Sequence, residues 1–325
     1  MKLPRRKFLH LAAGAAALPA MPRRASALDY PTRPVHIVVG FPPGGPTDIG
    51  ARLMGQWLSS RLGQTFVIEN RPGAANNIAT EAAARTAPDG YTLLAAVGSN
   101  TINPALYPDL NFNFIRDFAM VGGVYLSPLV LEVIDSMPVR TVPELIAYAK
   151  ANPGKITLAS FGTGTVSHIA GEFFKMNAGI DMVHVPYRGS APMVVDLISG
   201  QVQAAFDNLP ASMPYIREGR LHPLGVTTKT RWPALPDVPI MADFMPGFEA
   251  TTWIGIAAPK KTPVEIVDRL SKEISAGIAD PTMIARFAEL GAVPFPLSTA
   301  EFDKFIAEQT EKWGRVIRAA NIKVE

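Results

Sequence analysis

The chain has 325 residues, with 31 Lys+Arg, 28 Asp+Glu and no cysteine, which excludes disulfides and thiolate metal sites. The basic excess sits in residues 1–27, which hold Lys2, Arg5, Arg6, Lys7, Arg23 and Arg24 and no acid. Taking those six from 31 leaves 25 bases against 28 acids, formally −3, so the charge gives no case for nucleic-acid binding.

Arg5-Arg6-Lys7-Phe8-Leu9 opens the chain, an alanine-rich, weakly apolar run to Met21 follows, and Ala25-Ser26-Ala27 ends it. This reads as an export signal with an A-x-A cleavage site near Ala27, leaving a periplasmic protein that begins near Leu28. The paired arginines, the mild core and Arg23-Arg24 point to the twin-arginine route. No later stretch approaches the ~20 apolar residues that span a bilayer.

Beyond the signal, short β-branched runs alternate with helical patterns. Strands are expected at Val35–Gly40, Thr65–Glu69, Tyr91–Val97, Leu129–Ile134, Ile156–Ala159, Met182–Val185, Val202–Phe206 and Leu224–Thr228. A helix from Asp48 should bury Ile49, Leu53, Trp57, Leu58 and Leu62 and close at Gly63. Thr141–Glu144, Thr262–Glu265 and Ser298–Glu301 each have the spacing of a capping box. The alternation implies an α/β fold with mostly parallel sheets flanked by helices. Leu126–Ile134 and Thr251–Pro259 read as crossings between two lobes, 28–127 with 255–325 and 128–254. These two hinge strands would leave a cleft between the lobes.

Two strand-to-helix loops are candidate anion sites. In Phe41-Pro42-Pro43-Gly44-Gly45-Pro46-Thr47-Asp48, two glycines allow close backbone approach, and the helix start offers N–H groups and a positive dipole end. Asp48 either caps its helix or touches the ligand. In Ser160-Phe161-Gly162-Thr163-Gly164-Thr165-Val166-Ser167-His168, Ser167 stands where a dinucleotide loop needs its third glycine. A hydroxyl-rich nest for a carboxylate suits this loop better, beside the plainer reading of a turn with hydroxyl caps. Arg188 is either a carboxylate fork or a surface ion pair. Asp207 ends a strand at the carboxyl edge, where α/β sheets bind ligands. The histidines His36, His168, His184 and His222 show no metal-ligand spacing, and no nucleophile elbow or H-E-x-x-H is present. No cofactor or metal is expected. A carboxylate-processing enzyme and a sensor docking on a membrane kinase are two readings kept open.

The motif order is similar to that of the Bug-type extracytoplasmic solute receptors of tripartite tricarboxylate transporters. The resemblance runs through Phe41–Asp48 with Arg52, Glu69–Ala74, Pro88–Tyr91, Asn103–Tyr107, Lys150–Gly154, Pro186–Pro192 and Leu235–Pro239, from about Tyr30 to Ile322. It implies a two-lobed periplasmic binding protein fold, type II-like, that closes on a small organic acid or amino acid. The receptor, a monomer, would hand this ligand to the permease subunits of a membrane transporter. It also implies ligand contacts at Phe41, Gly44, Gly45, Thr47 and Asp48, at Ser99 and Asn100, and at Ser160, Thr163, Gly164, Thr165, Ser167 and His168. Arg188, Gly189 and Asp207 complete that set. Asn76 and Asn77 depart from a stretch that is often glycine-rich in the family, and Ile240 and Asp243 replace a common threonine and glutamate.

Replacing both Arg5 and Arg6 by lysine should block export, read as loss of the mature protein from a periplasmic fraction. Normal export of that variant would leave the general secretory route.

Overall fold

The computed structural model describes residues 29–319 and 322–323; the expected signal and its cleavage site lie outside these residues. In the first third, β1 (Val35–Val39) is followed by α1 (Pro46–Leu62), β2 (Phe66–Asn70), α2 (Asn77–Ala84), β3 (Thr92–Val97), α3 (Ser99–Leu106) and α4 (Phe114–Asp117). The long strand β4 (Phe118–Ile134) leads to α5 (Val142–Ala151), β5 (Thr157–Ser160), α6 (Val166–Ala178), β6 (Val183–Pro186), α7 (Ser190–Ile198), β7 (Ala204–Asn208), α8 (Leu209–Arg217) and β8 (Leu221–Val226). The chain returns through β9 (Thr251–Pro259) to α9 (Val264–Ile278), α10 (Pro281–Glu289), β10 (Val293–Pro294) and α11 (Thr299–Ala319).

Two sheets share β4. Its first part, to Pro128, lies antiparallel to β9, which pairs antiparallel with β3, and β3-β1-β2 are parallel. From Leu129 onward β4 pairs antiparallel with β7 and β8, while β7-β5-β6 are parallel. Each sheet is therefore mixed rather than mostly parallel. Three strands in each come from βαβ units, and the crossing strands run against them. β8 begins at Leu221, earlier than expected, because an edge strand tolerates Pro223, which has no N–H to donate.

The core face of α1 also differs from expectation. The buried side is Thr47, Ala51, Met54 and Leu58, with Gly50 and Gly55. Leu53 and Trp57 are only half-buried, because the indole of Trp57 turns to α9, donating to Glu273 O at 2.8 Å and lying over Gly277. Gly63 closes the helix at φ 73°. Of the three boxes, Ser298–Glu301 is reciprocal: Ser298 N–H donates to Glu301 Oε2 (2.9 Å) and Glu301 N–H to Ser298 Oγ (3.3 Å). At Thr141, Glu144 N–H donates to the hydroxyl, and the Glu144 carboxylate accepts from Arg140 N–H instead. Thr262 does not cap. Extended Pro263 takes the N-cap position, so Thr262 falls one residue too early, with its hydroxyl buried and unpartnered.

An aromatic cluster closes the first sheet. Trp253 of β9 packs edge-on against Phe302 (5.5 Å) and Phe305 (5.6 Å) of α11. Gly255 makes room for it: a methyl there would overlap the Phe302 ring and stand 3.0 Å from Gly122 O. Phe302 is fully buried among rings and has nowhere to move. Gly255→Ala should therefore destabilise by about 1–3 kcal/mol through overpacking, read as a lower midpoint in urea with unchanged m-value.

Candidate functional site

A cleft lies between the sheets at the carboxyl ends of their parallel strands, the place where open α/β sheets bind ligands. Its empty space is about 530 Å³ including its opening to solvent. Five helix starts reach it: Gly45-Pro46-Thr47 of α1, Gly98-Ser99 of α3, Val166 of α6, Gly189-Ser190-Ala191 of α7 and Asn208 before α8. Phe41, Pro42, Phe161, Tyr125, Thr252, Trp253 and Ile254 fill the rest. Among the described residues no lining side chain carries a charge, so the field in the cleft comes from aligned peptide dipoles and free N–H groups. Two buried polar atoms on its wall have no partner: Trp253 Nε1 and Asn208 Oδ1. The Tyr125 hydroxyl is spent, donating to Pro46 O at 2.9 Å, and complete burial pushes its ionisation up.

The two halves meet closely around this space. Phe41 and Phe161 stand edge to face at 6.5 Å, Tyr107 Oη donates to Thr163 O at 3.4 Å, and a methyl on Gly189 would reach Pro42 Cδ at 2.8 Å.

Of the expected contacts, Phe41, Gly45, Thr47, Ser99 and Gly189 line the cleft. Gly44, Asp48, Asn100, Ser160, Thr163, Gly164, Thr165, Ser167, His168, Arg188 and Asp207 stand behind or beside it. Asp48 staples the first loop. Its Oδ2 accepts from Gly44 N–H (2.9 Å) and Arg52 Nε (2.8 Å), and its Oδ1 from Asn70 Nδ2 (2.9 Å). Burial opposes the charge, but these donors together hold the carboxyl below its ordinary range. Asn100 belongs to a buried amide network: Oδ1 accepts from Val97 N–H and Asn76 Nδ2 (both 2.9 Å), and Nδ2 donates to Thr80 (2.8 Å). Ala74, Ala75 and Asn76 there all have positive φ, so non-glycine residues occupy a backbone path that glycine adopts without strain.

Three hydroxyls of the second loop are engaged within it or by the neighbouring strands. Thr165 Oγ1 donates to Gly162 O (2.6 Å), Ser167 Oγ to Phe206 O (2.5 Å), and Ser160 Oγ meets His184 Nε2 (2.7 Å). What this loop offers the cleft is Phe161, Val166 and a helix start. Arg188 is exposed. Asp207 is fully buried one step behind Ser190 and Asn208.

The sequence matches the family model described as "Tripartite tricarboxylate transporter family receptor" over residues 51–322. It is 36% identical over 303 residues to Protein BugT of Bordetella pertussis, covering 92% of this chain and 93% of that one. The chain belongs to this receptor family. Its fold matches R. palustris Rpa4515 with adipate at TM-score 0.88 and 37% identity, over 90% of this chain and 99% of the other. It also matches MatC from Rhodopseudomonas palustris with bound malate at TM-score 0.84 and 30% identity, over 89% and 100%. The α/β architecture is thus that of a two-lobed periplasmic binding protein, and its relatives are solute-binding receptors.

Trp253, Asn208 and Ser190 are cleft residues of this receptor that motif reading missed. The one available signal was position, since each begins a helix or sits on a crossing strand. The fold also brings together what sequence spacing did not. His168 and His184 stack at 4.4 Å, and with Glu172 they form a group whose donor atoms lie within 4.8 Å. These atoms are committed elsewhere: Lys175 Nζ sits 2.7 Å from Glu172, and His168 Nδ1 accepts from Gly164 N–H (3.3 Å), which leaves the proton on Nε2. The group is a polar cluster rather than a cradle for a cation.

Burial, helped by Lys175, lowers His168 to about 4; burial and the facing His168 lower His184 to about 4. Both imidazoles are therefore neutral in the receptor at neutral pH, and protonation favours the unfolded chain. Their stabilisation is complete above the ordinary value of 6.5 and is lost as pH falls towards 4. Thermal melts should fall across this window, and His168→Gln should flatten the fall by up to roughly 3 kcal/mol.

Proposed function

We propose that this receptor works in the periplasm as a monomer, captures a small carboxylate-bearing solute in the cleft, and delivers it unchanged to the membrane subunits of a tripartite transporter. The observation that carries this reading is a cleft with no charged side chain and five converging helix starts, a site that suits an anion through backbone dipoles. The unpartnered indole N–H of Trp253 adds a donor that a carboxylate would satisfy. No nucleophile with an adjacent base lines the space, which supports binding without conversion. The adipate and malate of the related structures supply the ligand class.

The lobes proposed are 28–127 with 255–325, and 128–254. The change of β4 partners between Pro128 and Leu129 supports a hinge there. Gly98 already stands against Val166 across the cleft, where an added methyl would lie 2.8 Å from Val166 Cγ2, a contact that opening of the hinge would break.

A thermal-shift screen over dicarboxylates, hydroxy acids and amino acids tests the reading, with about 2.7 kcal/mol of stabilisation expected at 100 times the dissociation constant. With the ligand found, Trp253→Phe should weaken binding by about 1.5–3 kcal/mol, the worth of a charge-assisted hydrogen bond. Gly45→Val, whose Cβ has room but whose bulk enters the cleft, should weaken binding more than Arg188→Ala. Abolition of binding by Arg188→Ala with an intact Gly45→Val would replace the backbone account by a guanidinium clamp. A ligand recovered chemically changed would favour an enzyme.

A further inference from the structure

Behind the Ser190–Asn208 wall of the cleft lie two fully buried carboxyl groups, Glu132 of β4 and Asp207 of β7. A single hydroxyl stands between them. Ser212 Oγ of α8 is 2.6 Å from Glu132 Oε1 and 3.0 Å from Asp207 Oδ2. A serine hydroxyl has one hydrogen to donate. If both neighbours were carboxylates, one of these contacts would set lone pair against lone pair. One carboxyl must therefore carry a proton and donate to Ser212, which donates onward to the other.

The surroundings decide which. Asp207 accepts from Ser190 Oγ at 2.6 Å and from the Asn208 backbone N–H. Glu132 has Ser212 alone, and its Oε2 has no partner, a state that suits the carbonyl oxygen of a neutral acid and not a buried anion. Opposite Glu132 in the sheet stand Ala205 of β7 and Pro223 of β8, at a break in register beside Leu131. The next β8 residue, His222, pairs with Asp135 at the exposed end. Among the described residues, the charge that acts on Glu132 is that of Asp207. Burial first, and then that charge, push the Glu132 carboxyl well above its ordinary range.

The direction of these bonds reaches the cleft. Ser190 has given its hydrogen to Asp207, so only lone pairs remain on its oxygen. Asn208 must then turn its NH2 towards Ser190 (3.5 Å), which leaves Oδ1 as the unpartnered acceptor on the wall. Trp253 Nε1 is a donor elsewhere in the same space.

We propose that Glu132, Ser212 and Asp207 share one proton, held on Glu132, and that the resulting hydrogen-bond direction makes Ser190 and Asn208 an acceptor wall. That wall selects carboxylates bearing a hydroxyl or ammonium donor over unsubstituted acids. The selection rests on the carboxylate-receptor reading above; the proton does not. An acid without the donor would leave Asn208 Oδ1 buried and unpaired.

Two measurements test it. Infrared spectra of the ligand-free protein at pH 7 should show a protonated carboxyl C=O band that disappears in Glu132→Gln. Absence of that band from the wild type, or its persistence in the variant, overturns the proton assignment. Calorimetry on matched pairs, malate with succinate and 2-hydroxyadipate or 2-aminoadipate with adipate, should favour the substituted acid at least tenfold. Ser190→Ala should shrink that ratio. Equal or tighter binding of the unsubstituted acids by the wild type overturns the acceptor wall, and does so even if Ser190→Ala fails to fold. Failure of every carboxylate to bind removes the receptor reading and the selection with it, while the infrared result still decides the proton.

Discussion

β4 runs seventeen residues as one strand, with register breaks near Gly122, Gly123 and Leu131, and its backbone groups need partners along the whole length. The first part finds β9, and the second finds β7 and β8. One strand thereby belongs to two sheets, and the turn from one set of partners to the other fixes where the sheets face each other. The βαβ units on both sides are right-handed by default, so their strand ends and helix starts are delivered to the same gap. The cleft follows from strand continuity as much as from any residue that lines it.

That placement explains how the gap can suit an anion with no cation on its wall. Five helix starts supply partial positive charge from groups that are fixed in place and need no reorganisation. Side-chain polarity then sets orientation, through Trp253 Nε1 on one strand and Asn208 Oδ1 at one helix start. The glycines serve this arrangement by allowing contact: Gly189 lies under Pro42 and Gly98 under Val166, approaches that a side chain would block.

Much of this was legible in the sequence. The eight strands read from β-branched runs are present with shifted ends, and Thr251–Pro259 is a strand with those bounds. Local pattern could not see the start of β4 at Phe118, because Gly122 and Gly123 interrupt its apolar run; their reason is tertiary, the close approach of Ile274 and Phe295. The face of α1 was misread for a related cause. Its core contacts use Thr47, Gly50, Ala51 and Gly55, small residues that hydrophobic periodicity discounts. At the cleft, both loops singled out from the sequence border the space, and the second does so through Phe161 and Val166. Its hydroxyls looked available in the sequence, whereas in the fold Thr165 bonds within the loop and Ser160 and Ser167 bond to the neighbouring strands β6 and β7. Trp253 carries no motif and Ser190 was passed over within Pro186–Pro192, and only packing leaves one with an idle donor and the other with lone pairs alone.

The two halves solve one electrostatic problem in different ways. Each keeps a buried aspartate behind its cleft wall to tie a helix start in place, Asp48 for α1 and Asp207 for α7 and α8. Asp48 has Arg52 at 2.8 Å, with the guanidinium half in solvent, so its charge is balanced by a group that stays ionised at any physiological pH. Among the described residues Asp207 has no cation beside it. Its burden is eased by hydroxyl and backbone donors and by the neutrality of Glu132, which would otherwise add a second negative charge in the same dry space. The Asp48 staple therefore keeps its charge near neutral pH. The second depends on where one proton resides, and it is the second that sets the polarity of the wall the ligand meets.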